Sequence, residues 1–192
     1  MKALGISFSS RQNGNCANCA NCAKFCLEEF KNKNYETETI NIYNYNISPC
    51  SDCDYICFRN KCPKQDDMGI IINKCIESDI IILALPTYRG HLSSSYFTFS
   101  ERLQGYFKTD KSYEYDFLKR INMIVIGNLS SGGDMALHEA LYEFSNRAFY
   151  PETILFSSRD YDRKSIDGDL IDDDLVKGRL DKFIQKIIKR TE

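Results

Sequence analysis

The residues best equipped for chemistry are cysteines: the 192-residue chain has nine, and eight fall in two short runs. Cys50, Cys53, Cys57 and Cys62 lie within thirteen residues, in a loop flanked by Pro49 and Pro63. A loop this rich in thiols can wrap them around one centre, as iron–sulfur and zinc sites require. Reduced thiols with no metal are the other reading. The second run, Cys16, Cys19, Cys22 and Cys26, has the spacing of a bacterial ferredoxin run, with Leu27 where that pattern has proline. Residues 15–23 are, however, three copies of Asn-Cys-Ala, and Cys19, Cys22 and Cys26 share the apolar phase of a helix ending at Phe30. There a cysteine behaves as a small hydrophobe, and packing is the preferred reading. Cys16 would stand at that helix's N-terminus, where a thiolate is stabilised and reactive. Cys75 reads as helix core.

A second chemistry, phosphate binding, is offered by Ser7-Phe8-Ser9-Ser10-Arg11-Gln12-Asn13-Gly14-Asn15. This segment joins an expected strand to an expected helix, where free backbone N–H groups and the positive helix end face an anion. Ser9 and Ser10 add hydroxyl donors, Arg11 can neutralise charge, Gly14 permits close approach and Asn15 can cap the helix. A polar loop ending in a helix cap is the blander alternative. The segment is neither GxGxxG nor the P-loop consensus, which argues against a dinucleotide fingerprint and a nucleoside triphosphatase. His91 is either a proton donor or a surface histidine, the latter preferred. His138 reads as structural, and Asp169–Asp174 as a solvated acidic turn before the last helix.

The elements that position these groups follow from hydrophobic periodicity. Strands are expected at Lys2–Ser7, Glu36–Tyr43, Ile80–Leu85, Asn122–Gly127 and Thr153–Phe156. Helical stripes appear over Cys16–Phe30; at Met68, Ile71, Ile72, Cys75 and Ile76, capped by Asp66 or Asp67; and at Leu92, Tyr96, Phe99, Leu103 and Tyr106. Two more run through Leu137, Leu141, Phe144 and Ala148, and through Val176, Leu180, Phe183, Ile184, Ile187 and Ile188. Five strand–helix alternations with no linker imply a single α/β domain over residues 1–192, a doubly wound five-stranded parallel sheet with helices on both faces. In the order 2-1-3-4-5 its ligand crevice lies at the carboxyl ends of strands 1, 3 and 4: Ser7–Cys16, Pro86–His91 and Asn128–Asp134.

Composition narrows the partners. Lys+Arg total 25 against Asp+Glu 27, a formal net charge of −2, so no basic excess exists to hold a nucleic-acid backbone. Apolar runs such as Ile80–Leu85 are too short to span a bilayer, so no membrane partner is expected. An odd cysteine count without an export signal argues against a disulfide framework, and a cytoplasmic location is the expectation.

Several motifs, taken in order, carry a resemblance. They are Gly5-Ile6-Ser7, Ser9, Arg11 and Gly14-Asn15; then Pro49-Cys50, Cys53, Cys62-Pro63 and Asp66-Asp67-Met68; then Ala84-Leu85-Pro86-Thr87-Tyr88, Gly90 and Glu101-Arg102. Together they cover most of residues 1–110 and resemble the NADPH-dependent FMN reductase family, whose fold is flavodoxin-like. The resemblance implies FMN, with Ser9, Arg11, Asn13, Gly14, Asn15 and Cys16 around its phosphate. Cys16 stands where the family usually has a Ser or Thr hydroxyl. Pro86, Thr87, Tyr88, Arg89 and Gly90 would border the ring, and Ser130, Ser131, Gly132 and Gly133 would close its other side. Tyr88 offers an aromatic face to a flat ring, and an inward Arg89 would favour an anionic reduced flavin. A cysteine run after strand 2 resembles the iron–sulfur flavoprotein branch, which implies a 4Fe–4S cluster on Cys50, Cys53, Cys57 and Cys62. That branch spaces its first three cysteines evenly, whereas here the third stands one place further on; zinc is the rival occupant. The implied activity is an NAD(P)H-linked FMN oxidoreductase or electron-transfer flavoprotein, with a small-molecule or protein donor and acceptor. A homodimer or homotetramer is implied too. The alternatives are an FMN or quinone reductase without a cluster and a non-enzymatic zinc-binding interaction module.

Overall fold

The computed structural model describes residues 1–9, 17–51, 53–108, 111–127, 130–164 and 167–191, with side chains for all of these except 17–19, 111–112 and 130–132. In chain order the regular elements are β1 (Lys2–Ser7), α1 (Ala17–Asn32), β2 (Glu36–Asn41), α2 (Met68–Ile76), β3 (Ile80–Tyr88) and β4 (His91–Leu92). There follow α3 (Ser94–Phe107), α4 (Lys111–Lys119), β5 (Ile121–Gly127), α5 (Ser130–Leu141), β6 (Thr153–Ser157) and α6 (Asp174–Thr191). The sheet runs β2-β1-β3-β5-β6, all parallel, and the two-residue β4 folds back antiparallel on the end of β3. Counted without β4, this is the expected doubly wound order 2-1-3-4-5.

The central strands are buried on both faces, so they read as unbroken Ile, Leu and Val runs rather than alternations. One face packs on α1 and α6 through Cys22, Cys26, Leu27 and Phe30 with Val176, Leu180, Phe183 and Ile187. The other packs on α2, α3, α4 and α5 through Met68, Ile72, Phe99, Leu103, Phe117 and Ala140.

Three boundaries depart from expectation for physical reasons. β2 stops at Asn41, whose side chain accepts a hydrogen bond from the Tyr43 N–H (3.1 Å) and starts a 3-10 turn at Ile42–Asn44. β3 continues past Leu85 through Pro86 to Tyr88, since extended backbone suits the fixed φ of proline near a strand end. The helix expected around Leu137–Ala148 begins at Ser130 and gives way to a 3-10 turn at Tyr142–Phe144.

Candidate active site

The carboxyl ends of β1, β3 and β5 share one edge of the sheet. Of the residues expected to cradle a phosphate there, Arg11, Asn13, Gly14, Asn15 and Cys16 lie outside the described residues; Ser9 is buried. The chain entering this loop is held firmly. Phe8 donates its N–H to the Ala84 carbonyl (3.0 Å), and its carbonyl accepts the Ser95 hydroxyl (3.1 Å). Its ring stands edge-on to Tyr96 and Phe99 at 5.6 and 5.3 Å. Ser7 opens the polar segment and was given no role of its own in the sequence analysis. Strand alternation puts it on the face of Ala3 and Gly5, and a Cβ at Gly5 would touch Leu27 of α1 at 2.9 Å. The Ser7 hydroxyl therefore points to the α1 side, and it is buried without a hydrogen-bond partner among the described residues. A buried orphan hydroxyl is costly, and a phosphate seated before α1 would satisfy it. On that test the end of β1 fits a phosphate-bearing group such as flavin mononucleotide. The available signal was a polar residue ending an otherwise apolar strand face.

Pro86 is buried, Thr87, Tyr88 and Gly90 are half-buried, and Arg89 is exposed. Thr87 pairs with Leu92 and Tyr88 with His91 across a two-residue turn in which Arg89 and Gly90 both have positive φ (53° and 90°). Such a turn matches the strand twist, but it strains any residue bearing a Cβ, here Arg89. Across the crevice, Ser130–Gly133 form the first turn of α5 rather than the expected loop, so their backbone N–H groups stand at a helix start. Gly133 is where α5 meets β6: a Cβ there would stand 2.7 Å from Leu155 Cδ1. Gly133→Val is expected to destabilise the fold by about 1–3 kcal/mol through overpacking, measured as a lower urea midpoint at unchanged slope. An unchanged midpoint would show that Leu155 yields without cost.

The cysteine loop leaves and re-enters the body of the protein through one clasp. Arg102 of α3, 1% exposed, donates from Nη1 to the Ser48 carbonyl (2.6 Å) and from both terminal nitrogens to the Asp66 carboxylate (2.7 and 3.1 Å). Asp66 also accepts the N–H groups of Ser48 (3.0 Å) and Met68 (3.2 Å), and Asp67 accepts that of Asn46 (2.7 Å). Thus Asp66 serves the start of α2, while the Asp67 side chain turns to the incoming chain. Inside the clasp, Cys50 is exposed, Cys53 and Cys62 are half-buried and Cys57 is buried. The Cys50 N–H donates to Glu101 Oε1 (2.6 Å). A Cβ on Gly105 of α3 would stand 3.4 Å from Cys62 Cβ and 3.6 Å from Cys57 Cβ, so both thiol residues rest on one bare stretch of helix. Burial and the Glu101 carboxylate push the Cys50 thiol up. A loop with four thiols on such a seat fits an iron–sulfur or zinc centre in its donor chemistry. Even so, among the described residues no group of three or more His, Cys, Asp or Glu side chains is gathered closely enough to hold a metal ion.

Three of the remaining cysteines are packed in the core, His91 is exposed, and the Cys19 side chain lies outside the described residues. Cys22, Cys26 and Cys75 are fully buried; burial pushes the Cys22 and Cys75 thiols up to about 12 and raises that of Cys26 well above its ordinary value, which keeps them unreactive. No disulfide joins the described cysteines. A cavity of about 480 Å³ opens at the opposite, amino-terminal end of the sheet, beside Asn122, Arg120 and Arg190. Its arginines are already engaged with carbonyls: Arg120 with Ile76 and Ser78, Arg190 with Tyr150 and Lys119.

A doubly wound parallel sheet whose crevice lies where the strand order reverses, between β1 and β3, is a flavodoxin-like fold. A solved flavone reductase shares it, with TM-score 0.67 at 18% identity over 100% of this chain and 63% of that one. The model of the NADPH-dependent FMN reductase family matches residues 1–161, and the chain belongs to that family. An iron-sulfur flavoprotein of Archaeoglobus fulgidus is 33% identical over 106 residues, and one of Methanosarcina thermophila is 37% identical over 91. These alignments cover 55% and 47% of this chain, and 47% and 46% of the relatives. The chain thus spans about half the length of the curated relatives it matches. Among the described residues no helix is long and apolar enough to cross a membrane.

Proposed function

We propose that the chain binds FMN at the carboxyl ends of β1, β3 and β5 and acts as an NAD(P)H-linked oxidoreductase. In this reading Cys50, Cys53, Cys57 and Cys62 would be the ligands of a 4Fe–4S cluster, which would supply one-electron chemistry. The observation that carries it is the Ser7 hydroxyl at the end of β1, buried and without a partner among the described residues. Ser9, Arg11, Asn13, Gly14, Asn15 and Cys16 take the phosphate, while Pro86–Gly90 and Ser130–Gly133 border the ring. When bound, FMN supplies the redox chemistry, exchanging electrons in pairs or singly. The protein's share is to orient the cofactor. Phe8 locks the start of the phosphate loop against α3, and the Thr87–Leu92 hairpin presents Tyr88 beside the crevice. The exposed rings of Tyr43, Tyr55 and Phe58, near the cysteine loop in sequence, support assembly into a homodimer.

The spread of the four thiols favours a second reading, an FMN or quinone reductase without a cluster. A visible spectrum and metal analysis of protein purified without oxygen or added cofactor separates the two. Flavin bands on a broad shoulder bleached by dithionite are expected, with iron and sulfide present. Flavin bands alone would leave the cluster-free reductase. Colourless protein containing zinc would overturn the flavin assignment in favour of a zinc-binding interaction module.

A further inference from the structure

Glu139 lies on α5, three turns into a helix whose first turn faces the crevice, and it reaches across to the other wall. One carboxylate oxygen accepts the backbone N–H of Leu92 (2.8 Å), and the other stands 2.7 Å from His91 Nδ1. A carboxylate only accepts, so Nδ1 carries the hydrogen of that bond. His91 and Leu92 are β4, the strand that pairs with Tyr88 and Thr87 and closes the turn at Arg89 and Gly90. That turn is held with a non-glycine residue at φ 53°, a conformation that persists only where its surroundings enforce it. Leu92 is anchored in the core beside α5, and Glu139 adds a hydrogen bond to each of the two flanking residues. One end of α5 starts at the crevice and its other half holds the opposing hairpin, so a single carboxylate couples the two walls.

We propose that Glu139 is a positioning residue that fixes the Pro86–Gly90 turn and the imidazole of His91 at the rim of the crevice. The inference rests on the proposed flavin site, because it concerns the wall against which the ring would lie. It assigns no proton transfer to either residue. Glu139 is about one-fifth exposed, at 21%, and His91 is mostly exposed, at 58%, so replacing Glu139 leaves the core intact.

The test compares wild type with Glu139→Ala and Glu139→Gln in two measurements. Flavin-free protein reports amide hydrogen exchange at Leu92 and the His91 tautomer by nitrogen NMR. Titration with FMN then gives the dissociation constant. Loss of a charge-assisted hydrogen bond in Glu139→Ala should speed Leu92 exchange and weaken FMN binding, each by about tenfold or more. Glu139→Gln should restore both, because its amide oxygen still accepts from Leu92. Its amide nitrogen donates to His91 Nδ1, so the hydrogen moves to Nε2, a change that general destabilisation would not produce. Unchanged Leu92 exchange and FMN affinity in Glu139→Ala would overturn the proposal, as would a Gln variant that behaves like Ala. If wild type fails to bind FMN, the functional reading falls, whereas Leu92 exchange and the His91 tautomer still decide whether the clamp exists.

Discussion

Arg102→Ala is expected to lower the free energy of unfolding by about 3–5 kcal/mol, a large share of the roughly 5–15 kcal/mol typical of a domain. The size follows from what would be left behind. The Asp66 side chain is 5% exposed and its carboxylate has two hydrogen bonds from Arg102; without them a nearly buried charge keeps two backbone amides among the described residues. Ser48 loses the donor on its carbonyl at the same time. Removing both partners should cost less than removing one, because no uncompensated charge remains. Denaturant unfolding of Arg102→Met, Asp66→Asn and the double variant measures the coupling. Strictly additive costs in the double variant would show that the pair acts as two independent packing groups.

The same clasp sets an acid dependence with a definite sign. Burial works against ionisation of Asp66, but Arg102 and the amides of Ser48 and Met68 outweigh it and hold the carboxyl below its ordinary value. Folding therefore lowers this pKa. The stabilisation is complete above the unfolded value of about 3.9 and fades as the pH falls through the lower folded one. Stability measured from about pH 5 to about pH 2 should fall more shallowly in the Arg102→Met variant than in wild type. Parallel curves would remove Asp66 from the acid transition.

What the sequence disclosed and what it concealed have separate physical causes. The five parallel strands and α1, α2, α3 and α6 were legible because a buried sheet demands continuous apolar runs and its covering helices demand 3.6-residue stripes. Helix α4 was not, since Lys111–Lys119 carries only Tyr113, Phe117 and Leu118 on its inner side amid charges; packing of Phe117 on Phe107, at 4.7 Å, defines it instead. Cys22 and Cys26 confirmed that helical phase outweighs a suggestive cysteine spacing. Asp66 or Asp67 was expected at a helix cap, and the second role of Asp66 as the partner of Arg102 depends on residues 36 positions apart meeting in space. Glu139 gave no local signal at all, because its partners are 47 and 48 residues away on another wall. Function was legible through motifs that resemble a family, whereas the devices that position those motifs are non-local.

Cys57→Ala and Cys62→Ala are each expected to reduce bound iron, or zinc if zinc is the occupant, from full loading to near zero, while FMN stays bound. Both residues sit against the bare face of α3 at Gly105, and a centre lacking one of four thiolates is exposed and easily lost. The proposed flavin crevice is built by other segments, the ends of β1, β3 and β5, so its occupancy should be independent of the loop. Cys22→Ala and Cys75→Ala serve as controls: these thiols are fully buried in the two packed faces, and their loss should lower stability without touching metal content. Gly105→Val removes no ligand at all. Its branched side chain would press on Cys57 and Cys62, whose Cβ atoms already lie 3.6 and 3.4 Å from the first added carbon. Metal loss in Gly105→Val together with Cys57→Ala and Cys62→Ala would localise the centre to the seat on α3. Full metal content in both cysteine variants would mean that these thiols are not ligands. In that case the crowding at Gly105 would reflect the packing of an ordinary loop, and the metal would be held by other ligands.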